Sequence, residues 1–171
     1  FVGAEVLETG KAGGSYRVRV PSDAMFAACW NNEPVTVAEL PATLGEPAGG
    51  ALFVGEAGVP VLVNSPDQSA AKGTLWWRSN LRGHALQADY LLTLPNAPAV
   101  LQAKTVDDGK VKQASVRVRI NGRTVAEIKH EPGKPTSLRV ALAEFAGQTV
   151  LLTLDATADG PLGIQELLLA K

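Results

Sequence analysis

The side chains best suited to hold a ligand fall in three short stretches. In "TLWWRSN", Thr74 to Asn80, two of the chain's three tryptophans are adjacent. Successive side chains of a β-strand point to opposite faces. Leu75 and Trp77 then share one face, which reads as core, while Thr74, Trp76 and Arg78 share the other. An outward indole can stack on the apolar face of a sugar ring. The Arg78 guanidinium and the Asn80 amide can bond its hydroxyls. In "CWNNEP", Trp30, Asn31, Asn32 and Glu33 end an apolar run, and each Asn offers donors and acceptors together. "NLRGHALQADY" adds Arg82, His84, Gln87 and Asp89.

Each stretch also has a plain structural reading. Trp76 can pack under a loop or a second layer, or against another protein. Asn favours turns and Pro34 stops a strand. His84 follows Gly83, so it reads first as a solvated loop histidine. No H-x-x-x-H or Cys/His spacing joins it to a metal, so the metal ligands stay unknown. Asp107-Asp108-Gly109 and "DATADG" (Asp155 to Gly160) can offer oxygens to calcium or simply make β-turns, and the twelve-residue EF-hand pattern is absent. A structural calcium ion is thus conceivable but not assignable, and no other cofactor is expected.

Catalytic signatures are missing. There is no G-x-S-x-G elbow, no phosphate-cradling loop, no H-E-x-x-H and no dinucleotide fingerprint. Cys29 is the only cysteine and lies in apolar "MFAACW", which reads as a buried, inert thiol. The net charge of −1 and the absence of a basic face argue against nucleic acid. No apolar run approaches the roughly 18 residues of a membrane span. The expectation is therefore a non-enzymatic domain with no membrane insertion.

These candidates must be positioned by strands. "SYRVRV" and "SVRVRI" alternate, with Val116, Val118 and Ile120 on one face and Arg117 and Arg119 on the other. Asn121-Gly122 follows the second run and "RTVAEI" follows that. An Asn-Gly pair between alternating runs predicts a hairpin, because a type I′ turn needs positive φ at both central residues. Further short strands are expected at 25–30, 35–38, 51–54, 59–63, 74–79, 86–94, 100–105, 137–142, 150–155 and 164–169. Pro/Gly-rich turns separate them. The stretch from Pro41 to Gly50 reads as a long loop or subdomain joint. "TSLRVALAEFAGQ" and "GIQELLLAK" have helical spacing. Propensity is a weak prior, and the first divides naturally into strand, bend and strand. Many short strands with regular punctuation indicate an all-β sandwich or barrel.

The stretch from Val106 to Lys171 resembles galactose-binding-like β-sandwich domains, including carbohydrate-binding modules. Such domains carry an "x-V-x-V-N-G" hairpin and then "V-D-L-S-x-Y-A-G-Q-x-V-x-L-x-L". Here "VRVRINGRTV" and "RVALAEFAGQTVLLTL" match, with Ala141 where an acidic residue is common and Phe145 where Tyr is common. The resemblance implies a jelly-roll-like antiparallel β-sandwich over residues 1–171, one domain of a larger multidomain protein. It implies a module that binds carbohydrate and targets a glycan-active or surface protein to polysaccharide. Its place would be extracellular, periplasmic or on the cell surface, with neighbouring domains of the same chain as partners. The alternative is an accessory sandwich that packs against a catalytic domain and binds no sugar. The matched pattern is scaffold and carries no ligand contacts. The candidate binding residues remain those read from the stretches above: Trp76, Arg78, Asn80, Trp30, Asn31, Asn32 and His84.

Overall fold

A computed structural model of the chain describes residues 5–9, 16–19, 26–29, 33–45, 47, 51–54, 63–64, 74–77 and 85–171. Within them the chain is built of strands. β1 (Glu5–Thr9) and β2 (Tyr16–Arg19) pair antiparallel, as do β3 (Phe26–Cys29) and β6 (Ala51–Val54). The short β4 (Val35–Thr36), β5 (Ala42–Thr43), β7 (Val63–Asn64) and β8 (Thr74–Trp77) flank longer strands. These are β9 (Ala85–Thr93), β10 (Val100–Asp107), β11 (Ala114–Ile120), β12 (Arg123–Lys129), β13 (Thr136–Ala141), β14 (Thr149–Ala158) and β15 (Leu162–Ala170). Among the described residues no helix is long and apolar enough to cross a membrane.

The long strands form two sheets. One has the order β12-β11-β14-β9, with β4 and β7 both joining β9 in parallel. The other has the order β13-β10-β15, and the free edge of β15 is shared by β8 and β5. Their facing sides meet in one apolar core. Ala88, Tyr90, Leu92, Val116, Val118, Ile120, Leu152 and Leu154 come from the first sheet. Leu101, Ala103, Leu138, Val140, Leu162, Ile164 and Leu169 come from the second, with Trp77 among them. The chain is an all-β sandwich with predominantly antiparallel pairing.

Local chemistry explains the elements. The hairpin between β11 and β12 turns at Asn121 (φ 51°) and Gly122 (φ 84°), the positive pair that the Asn-Gly signal requires. The Asn121 side chain also accepts from the Leu151 N–H at 2.9 Å, which ties the turn to β14. The helical-looking "ALAEFAGQ" is a bend: a 3-10 turn at Ala143–Phe145, then Gly147 at φ 71°. Helix propensity loses because Leu138, Val140, Leu142, Val150 and Leu152 all gain burial in the core when the segment folds as strand, bend and strand.

Two features differ from expectation. Within the stretch read as a loop, Ala42 to Leu44 is held to the sheet: β5 pairs with Leu168 and Leu169, and the Leu44 N–H reaches the Leu167 carbonyl at 3.0 Å. Two residues are too short a run to show alternation. The C-terminal strand is also longer than read and contains a bulge. Glu166 adopts φ 52°, and the pairing with β10 shifts by one residue beside Ala103. The extra residue switches the inward side chains from Leu162 and Ile164 to Leu167 and Leu169.

Candidate functional site

Period-two alternation settles the two tryptophans. β8 runs antiparallel to the first half of β15, pairing Trp77 with Leu162, Trp76 with Gly163, Leu75 with Ile164 and Thr74 with Gln165. Trp77 is fully buried in the core, and its indole N–H has no hydrogen-bond partner. Leu75 packs against the same core. Trp76 lies on the outer face and is half-buried.

Gly163 makes room for it. A Cβ there would sit 3.0 Å from Val106 Cγ2, 3.1 Å from Thr74 Cγ2 and 3.2 Å from Trp76 Cδ2. The indole thus lies over a strand position that has no side chain. The register of β10, β13 and β15 sets Thr74, Gln165, Lys104 and Ser137 in the adjacent row of the same outer face. Two residues along a strand separate the rows, about 7 Å. Lys104 Nζ donates to Glu166 Oε1 at 2.8 Å and approaches Oε2 at 2.7 Å, closing the row at the bulge. An aromatic surface therefore adjoins an amide, a hydroxyl, an ammonium and a carboxylate, all carried on sheet strands. Of the expected binding residues only Trp76 is placed; Arg78, Asn80, Trp30, Asn31, Asn32 and His84, with Arg82, lie outside the described residues.

The opposite sheet carries a second polar cluster, with Gln87, Asp89, Thr153 and Asp155 buried and Arg117 the most exposed of its charged groups. Gln87 and Asp89 on β9 point away from the core, as do Thr153 and Asp155 on β14 and Arg117 and Arg119 on β11. Pairing sets Gln87, Asp155 and Arg117 in one row and Asp89, Thr153 and Arg119 in the next. The Gln87 amide donates to both oxygens of Asp89, at 2.8 and 2.7 Å, and the Thr153 hydroxyl donates to Oδ1 at 2.7 Å. Both arginines converge on Oδ2 of Asp155, Arg117 at 3.5 Å and Arg119 in direct hydrogen-bond contact. Burial holds the Asp89 carboxyl above the ordinary carboxylate range, opposed by the bonds from Thr153 and Gln87. Gln87 and Asp89 were visible as polar residues of one stretch, but the cross-strand set was not.

The acidic turns bind backbone. Asp107 accepts from the N–H groups of Gly109 and Gly133, Asp108 from Lys110, and Asp159 from Lys112 and Gln113. Among the described residues no three His, Cys, Asp or Glu side chains are placed to share a metal ion. Asp107 also meets a group that sequence reasoning passed over. His130 Nε2 donates to its Oδ2 at 2.6 Å, and His130 Nδ1 lies 2.8 Å from Thr105 Oγ1. Hydroxyl, imidazole and carboxylate stand in the order of a nucleophilic triad, yet the Thr105, His130 and Asp107 side chains are sealed from solvent. No substrate can reach that hydroxyl, so the line is a structural clasp. "HEPGKP" reads only as a turn, and nothing in it points to this role.

The fold defines the class: a predominantly antiparallel β-sandwich domain. No family model matches the chain, and no curated protein matches it. Among solved structures the chain is similar to the C-terminal domain of EclA, described as a sugar-binding protein. The TM-score is 0.40 and the identity 17%, covering 68% of this chain and 87% of that one.

Proposed function

We propose that this chain is a non-catalytic carbohydrate-binding domain that holds a larger glycan-active or surface protein against polysaccharide, outside the cytoplasm. The observation that carries the reading is the Trp76 indole laid over Gly163 beside the row Gln165, Lys104 and Ser137. A sugar ring offers an apolar face to the indole and hydroxyls to the row about 7 Å away. The polar groups are mounted on paired strands, so little ordering is lost on binding. A weak site suffices, because linkage to a larger chain raises its effective concentration. This mode needs no cofactor.

The test is calorimetric titration with a panel of neutral oligosaccharides. One or more should bind, and Trp76→Ala should weaken that binding at least tenfold, which is about 1.4 kcal/mol. Equal binding by wild type and Trp76→Ala overturns the assignment of the site. A second reading takes the half-buried Trp76 and Val106, which flank Gly163 on this face, as an apolar packing surface. An accessory sandwich that packs against a neighbouring domain through this face would bind no glycan, and Trp76→Ala would then loosen the pairing of the domains.

A further inference from the structure

The polar cluster on the outer face of the β12-β11-β14-β9 sheet is not absorbed by that reading. It sets two guanidiniums beside the buried side chains of Gln87, Asp89, Thr153 and Asp155. Arg117 and Arg119 both use Nη2 on a single oxygen, Oδ2 of Asp155. Arg119 Nε is buried and has no hydrogen-bond partner. A buried, unbonded N–H of a charged group is costly and uncommon in folded proteins. The charges around it are also uneven. Among the described residues Asp155 is the one carboxylate in contact with the two arginines. Glu127 stands across from Arg117 in the β12 pairing, exposed and out of ion-pair reach, and Thr124 stands across from Arg119. Lys129 lies one row further on, across from Ser115. Asp89, in the row of Arg119, is engaged by Gln87 and Thr153 rather than by either arginine. Arg117 keeps 38% of its side-chain exposure, against 17% for Arg119, so the pair has an open side and a deep side.

We propose that Arg117 and Arg119 form an oxyanion site that takes the carboxylate or sulfate group of an acidic saccharide. The planar guanidinium matches such groups in paired hydrogen bonds, and an incoming oxygen gives Arg119 Nε its missing acceptor. The Thr124 hydroxyl and Glu127 carboxylate on the rim face the hydroxyls beside that group. The oxyanion site stands on the arginine geometry alone. The saccharide as its carrier rests on the carbohydrate-binding reading.

The test follows the Arg119 Nε–H resonance in nitrogen-15 spectra during titration with sodium sulfate, digalacturonate and the neutral disaccharide cellobiose. Sulfate and digalacturonate should both shift it, and cellobiose should not. Arg117→Gln, which leaves the Arg119–Asp155 pair in place, should weaken both at least tenfold with an unchanged circular dichroism spectrum. Lys129→Gln, which removes the same charge outside the site, should bind as wild type does. No shift with either anion overturns the site, as does equal weakening by the Arg117 and Lys129 variants. A shift with sulfate alone overturns the saccharide assignment. If neutral glycans still bind at Trp76 in that case, the carbohydrate-binding reading survives; if no saccharide binds anywhere, it fails too.

Discussion

His130 Nε2 lies 2.6 Å from Asp107 Oδ2, with both side chains sealed from solvent, and the contact joins the end of one sheet to the other. His130 follows β12 and Asp107 ends β10. The Gly133 N–H bonds the same oxygen at 2.7 Å, so the crossover from β12 to β13 is fastened at two points. A hydrogen bond to a charged group contributes about 1.5–3 kcal/mol, and removing one partner strands the other. Asp107→Asn should therefore destabilise the domain by about 2–3 kcal/mol in urea unfolding, with an unchanged m-value. His130→Ala should cost at least as much, because it also leaves the Thr105 hydroxyl without the ring. A loss under about 0.5 kcal/mol, the size of an ordinary surface substitution, would show that the clasp holds nothing.

Asp107 and Asp89 contribute to the acid response with opposite signs. The bond from His130, then the N–H of Gly133, holds the Asp107 pKa below its ordinary value. A depressed carboxylate stabilises the fold at all pH values above its unfolded pKa, near 3.9, and that stability disappears as pH falls through the folded value. Asp89 has the opposite sign. Burial raises its folded pKa, so stability falls as pH rises from the unfolded value through the folded one. Asp89→Asn removes that penalty and keeps the shape. The difference in unfolding free energy between Asp89→Asn and wild type should shift in favour of the variant as pH rises from about 4 towards 7. A difference that stays flat with pH would show that Asp89 titrates normally.

How far the sequence could be read depended on how local each feature is. The β11–β12 hairpin was legible because Asn121-Gly122 encodes its own turn. The outward direction of Arg117 and Arg119 was legible because alternation alone sets it. Their common partner was not: Asp155 lies 36 residues from Arg119, and only strand order and register bring them together. His130 was hidden for the same reason, since Asp107 and Thr105 are 23 and 25 residues away on another sheet. The bulge at Glu166 escaped because three consecutive leucines fit either phase of alternation. Trp76 against Trp77 needed only the phase of one short strand, and Leu75 supplied it.

Gly163 tests whether Trp76 is seated as described. A methyl group added there meets Val106, Thr74 and Trp76 at 3.0–3.2 Å, tighter than ordinary contact. Overpacking of this kind costs about 1–3 kcal/mol when neighbours must shift. Gly163→Ala should lower the unfolding free energy within that range and change tryptophan fluorescence, since the indole must lift from the strand. Trp77, in the core behind it, should keep its signal, so the change should be absent from Gly163→Ala combined with Trp76→Phe. An unshifted spectrum in the single variant would mean that the indole does not rest on Gly163.

Glu166 separates stability from recognition on the Trp76 face. A residue other than Gly at φ 52° carries backbone strain of about 1 kcal/mol or more. Its ion pair with Lys104 is exposed at both ends, a kind of contact that contributes about 0–1 kcal/mol. Glu166→Gly relieves the strain and loses the pair, so its unfolding free energy should stay within about 1 kcal/mol of wild type. Stability therefore does not account for the acidic side chain at this position. If Glu166 and Lys104 bond the hydroxyls of a sugar stacked on Trp76, Glu166→Gly should weaken oligosaccharide binding at least fivefold while the fold is unharmed. Titration calorimetry and thermal unfolding of the same sample read both quantities. Retained affinity would remove Glu166 from the site, and a stability loss beyond about 2 kcal/mol would make the residue structural.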